Sequence, residues 1–222
     1  MPKADPTGLR WVRPPQQARS RRTLDRILDA AEGLAAEKGI DDAPIGEIVR
    51  RAGSSVGAFY ARFRDKDGLV HALYDRYYAE AVATADEALD PERWEGAGVA
   101  EVLSAVIAFL VSIYREQRGL IRAFAVHNHR NAEFAARQQR LSHHVGEGLT
   151  ALLLARRAEI GHPDPDTAAR FGLALVFGAL ETTILFGEMR AVPALSDDSL
   201  AAELTRAYLA YLGVGLPARR NP

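Results

Sequence analysis

The chain has no cysteine, and that absence excludes disulfides, thiolate nucleophiles and cysteine-based zinc fingers. It fits a reducing compartment. Strand-like alternation of useful length is also missing, as is any Asn-Gly hairpin signal, so a β fold has nothing to start from. No internal repeat of fixed period is present. The longest apolar run, FGLALVFGAL from Phe171, is stopped by Glu181 and reads as too short to span a membrane. The stretch before Thr23 lacks the apolar core of a secretory signal. These absences together predict a soluble cytoplasmic protein.

What is present is ordinary globular material. A chain of 222 residues, 48% hydrophobic and 26% charged, can bury a core without staples. Its formal net charge of −1 gives no global sign of a nucleic-acid partner, but the charge is uneven. Before Thr23 stand Lys3, Arg10, Arg13, Arg19, Arg21 and Arg22 against the single acid Asp5, a basic arm over 1–19 that suits phosphates or simply solubilises.

Beyond the arm the pattern is helical. Leu24, Ile27, Leu28, Ala31, Leu34 and Ala35 keep the three-and-four spacing of an amphipathic helix, which Gly39 is placed to end. A short second helix is expected from Pro44, with Ile45, Ile48, Val49 and Ala52 on one face. Gly53 supplies a turn, a third helix follows over about 55–63, and Asp65 caps a fourth whose inner residues include Leu69, Leu73 and Tyr77. The stretch LDPERWEGAG reads as a connection. Further helices are expected near 98–116, 119–127, 131–160, 165–189 and 197–213, with no strand between them. The fold class is all-α: a three-helix head joined by a fourth helix to a carboxy-terminal bundle.

The segment RRAGSSVGAFYARFRDK carries the strongest functional signal. On a helical wheel Val56, Phe59, Tyr60 and Phe63 share one side, and Gly57, Ala58, Ala61 and Arg62 the other. A helix whose outer side is one glycine, two alanines and one arginine can lie close against a partner. Helix, glycine turn and helix form the unit that sets its second helix in the DNA major groove. The alternative from periodicity alone is that the small residues serve helix–helix packing.

The residues Ile27, Ala30, Ala31, Gly39, Ile48, Ala52, Gly53, Gly57, Tyr60, Phe63, Lys66 and Leu69 make the stretch from about 20 to 70 resemble the DNA-binding domain of TetR-family transcriptional regulators. The resemblance implies a helix-turn-helix at 44–63 within a DNA-binding domain at 20–80. A ligand-sensing and dimerisation domain would follow at 81–222. It implies that Ser55, Val56, Gly57, Ala58, Tyr60, Ala61 and Arg62 lie at or near DNA, and that Lys66 holds a phosphate at the start of the fourth helix. Tyr60 would add a phosphate contact, Arg62 would read guanine, and Val56 or Ala58 would meet a thymine methyl. Two departures stand out. Ala43 and Pro44 occupy positions where the family has a capping Ser or Thr, and Gly46 stands where relatives carry a polar residue.

The resemblance also implies a small-molecule effector in the bundle, without cofactor or metal. Phe109, Tyr114, Phe124, His127, Phe177 and Glu181 are the pocket candidates, although each aromatic reads first as an ordinary core residue. His127 and His129 are two apart and diverge on a helix, so they do not spell a metal site. His129 with Glu133, and His143 with Glu147, suit surface pairs. The apolar helix at 165–189 and its successor at 197–213 are expected to form a twofold homodimer interface, matching a palindromic operator. The leading expectation is a repressor released by its ligand. The competing ones are a helical interaction protein that no longer binds DNA and, more remotely, an all-α enzyme.

Overall fold

The computed structural model describes residues 18–128, 132–187 and 195–215, and every regular element among them is helical. In chain order these are α1 (Ala18–Lys38), α2 (Ile45–Arg51), α3 (Val56–Tyr60), α4 (Lys66–Ala88), α5 (Val99–Glu116), α6 (Arg118–Asn128), α7 (Ala132–Leu154), α8 (Pro165–Leu180) and α9 (Asp197–Leu212). A turn of 3₁₀ helix lies at Pro91–Trp94, inside the stretch read as a plain connection, with the Asp90 carboxylate accepting from Glu92 N at 3.0 Å. Of the basic arm at 1–19, residues 1–17 fall outside the described residues, and 18–19 open α1.

The chain divides into two compact units, the first made of residues up to Ala81 plus Gly119–Ala135 and the second of Val82–Arg118 plus the chain from Ala136. The sequence assigns residues 81–222 wholly to one domain. The segment 119–135 instead packs into the amino-terminal unit, where Leu120, Phe124 and Phe134 share a core with Ile27, Leu34, Ile48, Phe59, Phe63, Leu73 and Tyr74. Phe124 sits edge-on to Tyr74 at 4.6 Å, and Phe134 meets the same ring at 5.0 Å. Gly119 makes this docking feasible: a Cβ at that position would lie 2.2 Å from the Ala35 carbonyl oxygen. Such a contact depends on tertiary approach and leaves no trace in helical periodicity.

The second unit has its own core, in which Val102, Leu103, Val106, Ile107, Leu149, Leu153, Leu173, Val176 and Leu200 are buried. The long helix expected over 131–160 stops at Leu154, where the backbone tightens to three-residue bonds such as Arg156 N to Leu153 O at 2.9 Å and Arg156 leaves helical geometry at φ −111°. Its guanidinium donates to the carbonyls of Trp94, Ala97 and Leu152, fastening the α4–α5 connection to the end of α7. The Glu159 carboxylate then accepts from Val99 N at 2.9 Å, at the first turn of α5.

The helix expected over 165–189 runs as α8 to Leu180 and continues as a π turn, Glu181–Leu185. Residues 188–189 are outside the described set. Taken together, Pro165–Leu185 is 21 residues whose most apolar 18-residue window has mean hydropathy 1.5, a composition that a buried core helix shares. Its setting is that of a packed helix. One face meets Tyr208, whose hydroxyl donates to Ala169 O, and its outer side carries the Arg170–Asp166 and Arg170–Glu147 ion pairs. The hydrogen bond from Arg170 lowers the Glu147 carboxyl pKa.

Candidate nucleic-acid interface

The helix-turn-helix is assembled from local rules. Gly53 takes φ +57°, a left-handed conformation that suits glycine, and turns the chain between α2 and α3. Ser55 opens α3 by accepting from Ala58 N at 3.1 Å. Asp65 does the same for α4, accepting from Gly68 N at 2.8 Å. α2 departs from this pattern: Pro44 stands at its N-cap, and no side chain caps it. Around these elements, ion pairs of Lys38 with Glu47 and of Arg51 with Glu37, each at 2.6 Å, fix α1 against α2. The hydrogen bond from Lys38 holds the Glu47 carboxyl below its ordinary pKa.

Two aromatics anchor α3 from below. Phe59 and Phe63 are fully buried and touch at a centroid distance of 5.0 Å. The wheel also turns Val56 and Tyr60 inward, yet these side chains are 47% and 50% exposed. The discrepancy follows from length. α3 has only five residues, so its inner face is satisfied by Phe59, with Phe63 entering from the loop beyond.

The outer surface is therefore wider than the wheel predicts. Ser55, Val56, Gly57, Tyr60 and Ala61 are exposed, and Ala58 is half-buried. A side chain added at Gly57 would meet only the Ser55 hydroxyl, at 3.9 Å, and one added at Gly46 would meet nothing within 4 Å. No part of this unit plugs the small-residue face.

Two of the sequence-selected cations have partners inside the first unit. Arg62, just beyond α3, is half-buried and its Nη1 donates to the Ala58 carbonyl at 2.7 Å, one turn back. Lys66 is half-buried too, and its ammonium donates to Asp41 O at 2.8 Å, tying the start of α4 to the α1–α2 loop. That bond occupies one of three ammonium hydrogens and leaves the others for a second acceptor. Arg64 was not singled out from the sequence, although it lies in the same FRDK run. Its side chain is 95% exposed beside the end of α3. Arg50, on the outer side of α2, is likewise exposed.

Five of the six pocket candidates have side chains among the described residues. Phe109 is exposed on α5, Tyr114 and Phe177 are half-buried against the second unit's core, and Glu181 is exposed where α8 passes into its π turn. Phe124 belongs to the first unit's core. The His127 side chain and His129 fall outside the described residues. His143 and Glu147 approach at 3.6 Å, as the sequence spacing suggests. Among the described residues no group of three His, Asp or Glu side chains stands ready for a metal.

Comparison with known proteins bears on this arrangement. Residues 27–73 match the family model described as bacterial regulatory proteins, tetR family. The HTH-type transcriptional regulator YvdT of Bacillus subtilis is 43% identical over 49 residues, which is 22% of this chain and 25% of that protein. The match thus spans about a quarter of the relative's own length. Over most of the chain the likeness is structural. A TetR-family transcriptional regulator from Mesorhizobium loti superposes with a TM-score of 0.68 at 20% identity, covering 87% of this chain and 98% of its own. SmeT, the repressor of the Stenotrophomonas maltophilia multidrug efflux pump SmeDEF, gives 0.61 at 22% identity, covering 91% and 97%. Residues 27–73 thus match the DNA-binding head of the tetR family, and the chain as a whole shares the all-helical fold of these solved regulators.

Proposed function

We propose that the chain is a DNA-binding transcriptional regulator, a repressor that works as a homodimer on a palindromic operator and leaves it when a small molecule occupies the carboxy-terminal bundle. The reading is of a regulator and not of an enzyme. The observation that carries it is the uncovered outer face of α3. Ser55, Val56, Gly57 and Ala61 are open to a partner, while Phe59 and Phe63 brace the helix from behind.

In this reading base contact falls to Val56, Ala58 and Ala61, whose methyl groups suit thymine, and to the Ser55 hydroxyl. Tyr60 and Lys66 hold phosphates on either side, and Arg64, Arg50 and the arginine arm add charge. Arg62 closes the helix through Ala58 instead of reading a base. A surface with so few polar groups draws its affinity from the backbone, so binding falls steeply as salt rises.

The homodimer is supported by α8. Phe171, Ala174, Leu175 and Gly178 are all exposed and recur at three- and four-residue spacing, with Phe171 at 51% and Leu175 at 52%. An apolar helical face of this kind calls for a cover. A second copy supplies it through an isologous contact, with Ala207 and Ala210 exposed on the neighbouring α9. Release by ligand is then a coupling between two sites: the effector must bind better to the state whose two heads no longer fit successive major grooves. SmeT is described as a repressor, which accords with repression here.

Selection of bound duplexes from a random pool, followed by fluorescence anisotropy across a salt series, tests the reading. A selected palindrome whose affinity drops steeply with salt supports it. Failure to retain any duplex at low salt would make the chain a helical interaction protein instead.

A further inference from the structure

The second unit contains a groove that none of the six sequence-selected pocket residues lines. It lies between the α4–α5 connection and α7, has a volume of about 580 Å³, and is bounded by Leu89, Pro91, Trp94, Glu95, Ala151 and Arg156 among others. That volume is within the range, roughly 300–1,000 Å³, of small-molecule sites.

The walls are fixed before any ligand arrives. The Trp94 indole N–H donates to Ala88 O at 2.7 Å, so the ring cannot swing away. The connection behind it is fastened to α7 by the three carbonyl bonds of Arg156. On the α7 side Gly148, Ala151 and Ala155 keep the space clear. α7 passes so close at Gly148 that a Cβ there would stand 2.9 Å from Leu89 Cδ1. A prearranged aromatic wall spares a ligand the cost of ordering the loop.

Two charges border the groove, and they are held differently. Arg156 keeps its positive charge but commits its Nε, Nη1 and Nη2 donors to backbone carbonyls. Glu95 is exposed at the rim, and among the described residues no cation pairs with it. Apolar surface, a fixed indole face and a carboxylate without a counter-charge favour a cation carried on an aromatic body.

The geometry points to this groove as the binding site of an aromatic organic cation, held against Trp94 and balanced by Glu95. The inference deepens the effector-regulated reading and rests on it for biological meaning, but binding itself is measurable without DNA. The site also touches Leu89 and, through the Trp94 bond, the last residue of α4, Ala88, so an occupant would bear on the carboxyl end of that helix.

The chain has two tryptophans, Trp11 and Trp94, so a full-length Trp11→Phe variant reports on the groove alone. The probes are tetraphenylphosphonium and its isosteric anion tetraphenylborate, titrated while Trp94 emission is followed. Saturable quenching by the cation is expected, with the anion binding about tenfold more weakly. Glu95→Gln should weaken the cation about fivefold. Ala151→Phe, at an exposed position, should abolish saturation while circular dichroism stays unchanged, with Ala155→Phe as a second filling variant. Absence of saturable quenching, unchanged affinity in both filling variants, or an anion that binds as tightly as the cation overturns the assignment. Because no DNA is present, such failures leave the operator-binding reading standing, and a failed duplex selection leaves this titration intact.

Discussion

Arg62 and Ala58 are joined across one helical turn: the guanidinium donates to the carbonyl oxygen at 2.7 Å. The bond satisfies a carbonyl at the end of α3 that no further helical turn would claim. An arginine so engaged strengthens the recognition helix from within. Arg62→Ala is therefore expected to cost about 1–2 kcal/mol of stability. Thermal unfolding measures that loss. Selection from a random duplex pool should recover the same preferred sequence as the parent, and a shift at one base position would return Arg62 to the groove.

Lys66 and Tyr60 should behave as general anchors. Lys66→Ala is expected to weaken every duplex about equally and to lower the slope of log K against log salt by about one. Tyr60→Phe removes a single hydroxyl contact worth about 1 kcal/mol, roughly fivefold in affinity, again without changing sequence preference. Anisotropy on matched and mismatched duplexes distinguishes this from base reading. A loss confined to the selected sequence would contradict the phosphate assignment.

Leu175 lies near the middle of the exposed stripe on α8, and in a twofold interface each substitution acts twice. Leu175→Glu is expected to convert the dimer to a monomer by sedimentation velocity. Duplex affinity should fall about a hundredfold or more as one of two heads loses its tether. A parent protein that already sediments as a monomer would remove this face from the account.

The sequence reveals the head well, because its signals are local. Gly39 and Gly53 sit where the chain must take positive φ, and Ser55 and Asp65 cap the helices they precede. Phe59 and Phe63 follow the inward spacing. Contacts made across long stretches of chain were illegible. Phe124 has the same periodicity in a bundle core as in the head, and only the approach of Gly119 to Ala35 decides between them. The helix read through residue 160 gives way at Arg156 to a 3₁₀ turn, and the bonds of that side chain to Trp94 and Ala97 carbonyls, some sixty positions upstream, have no sequence signal. The pocket candidates were chosen by residue type, and type does not say which aromatics share a cavity. The groove beside Trp94 arises from a 3₁₀ turn in a segment whose prolines and glycines suggested only a link.

The account depends most on the emptiness in front of Gly57. A side chain there meets nothing but the Ser55 hydroxyl at 3.9 Å, so Gly57→Leu should leave the fold intact and raise helix stability by somewhat under about 1 kcal/mol. The same side chain would stand between α3 and the floor of the major groove. Anisotropy of Gly57→Leu on the selected duplex is thus the most direct measurement. Loss of specific binding at an unchanged or slightly higher Tm is the predicted result, and parental affinity in a well-folded variant would contradict the central claim.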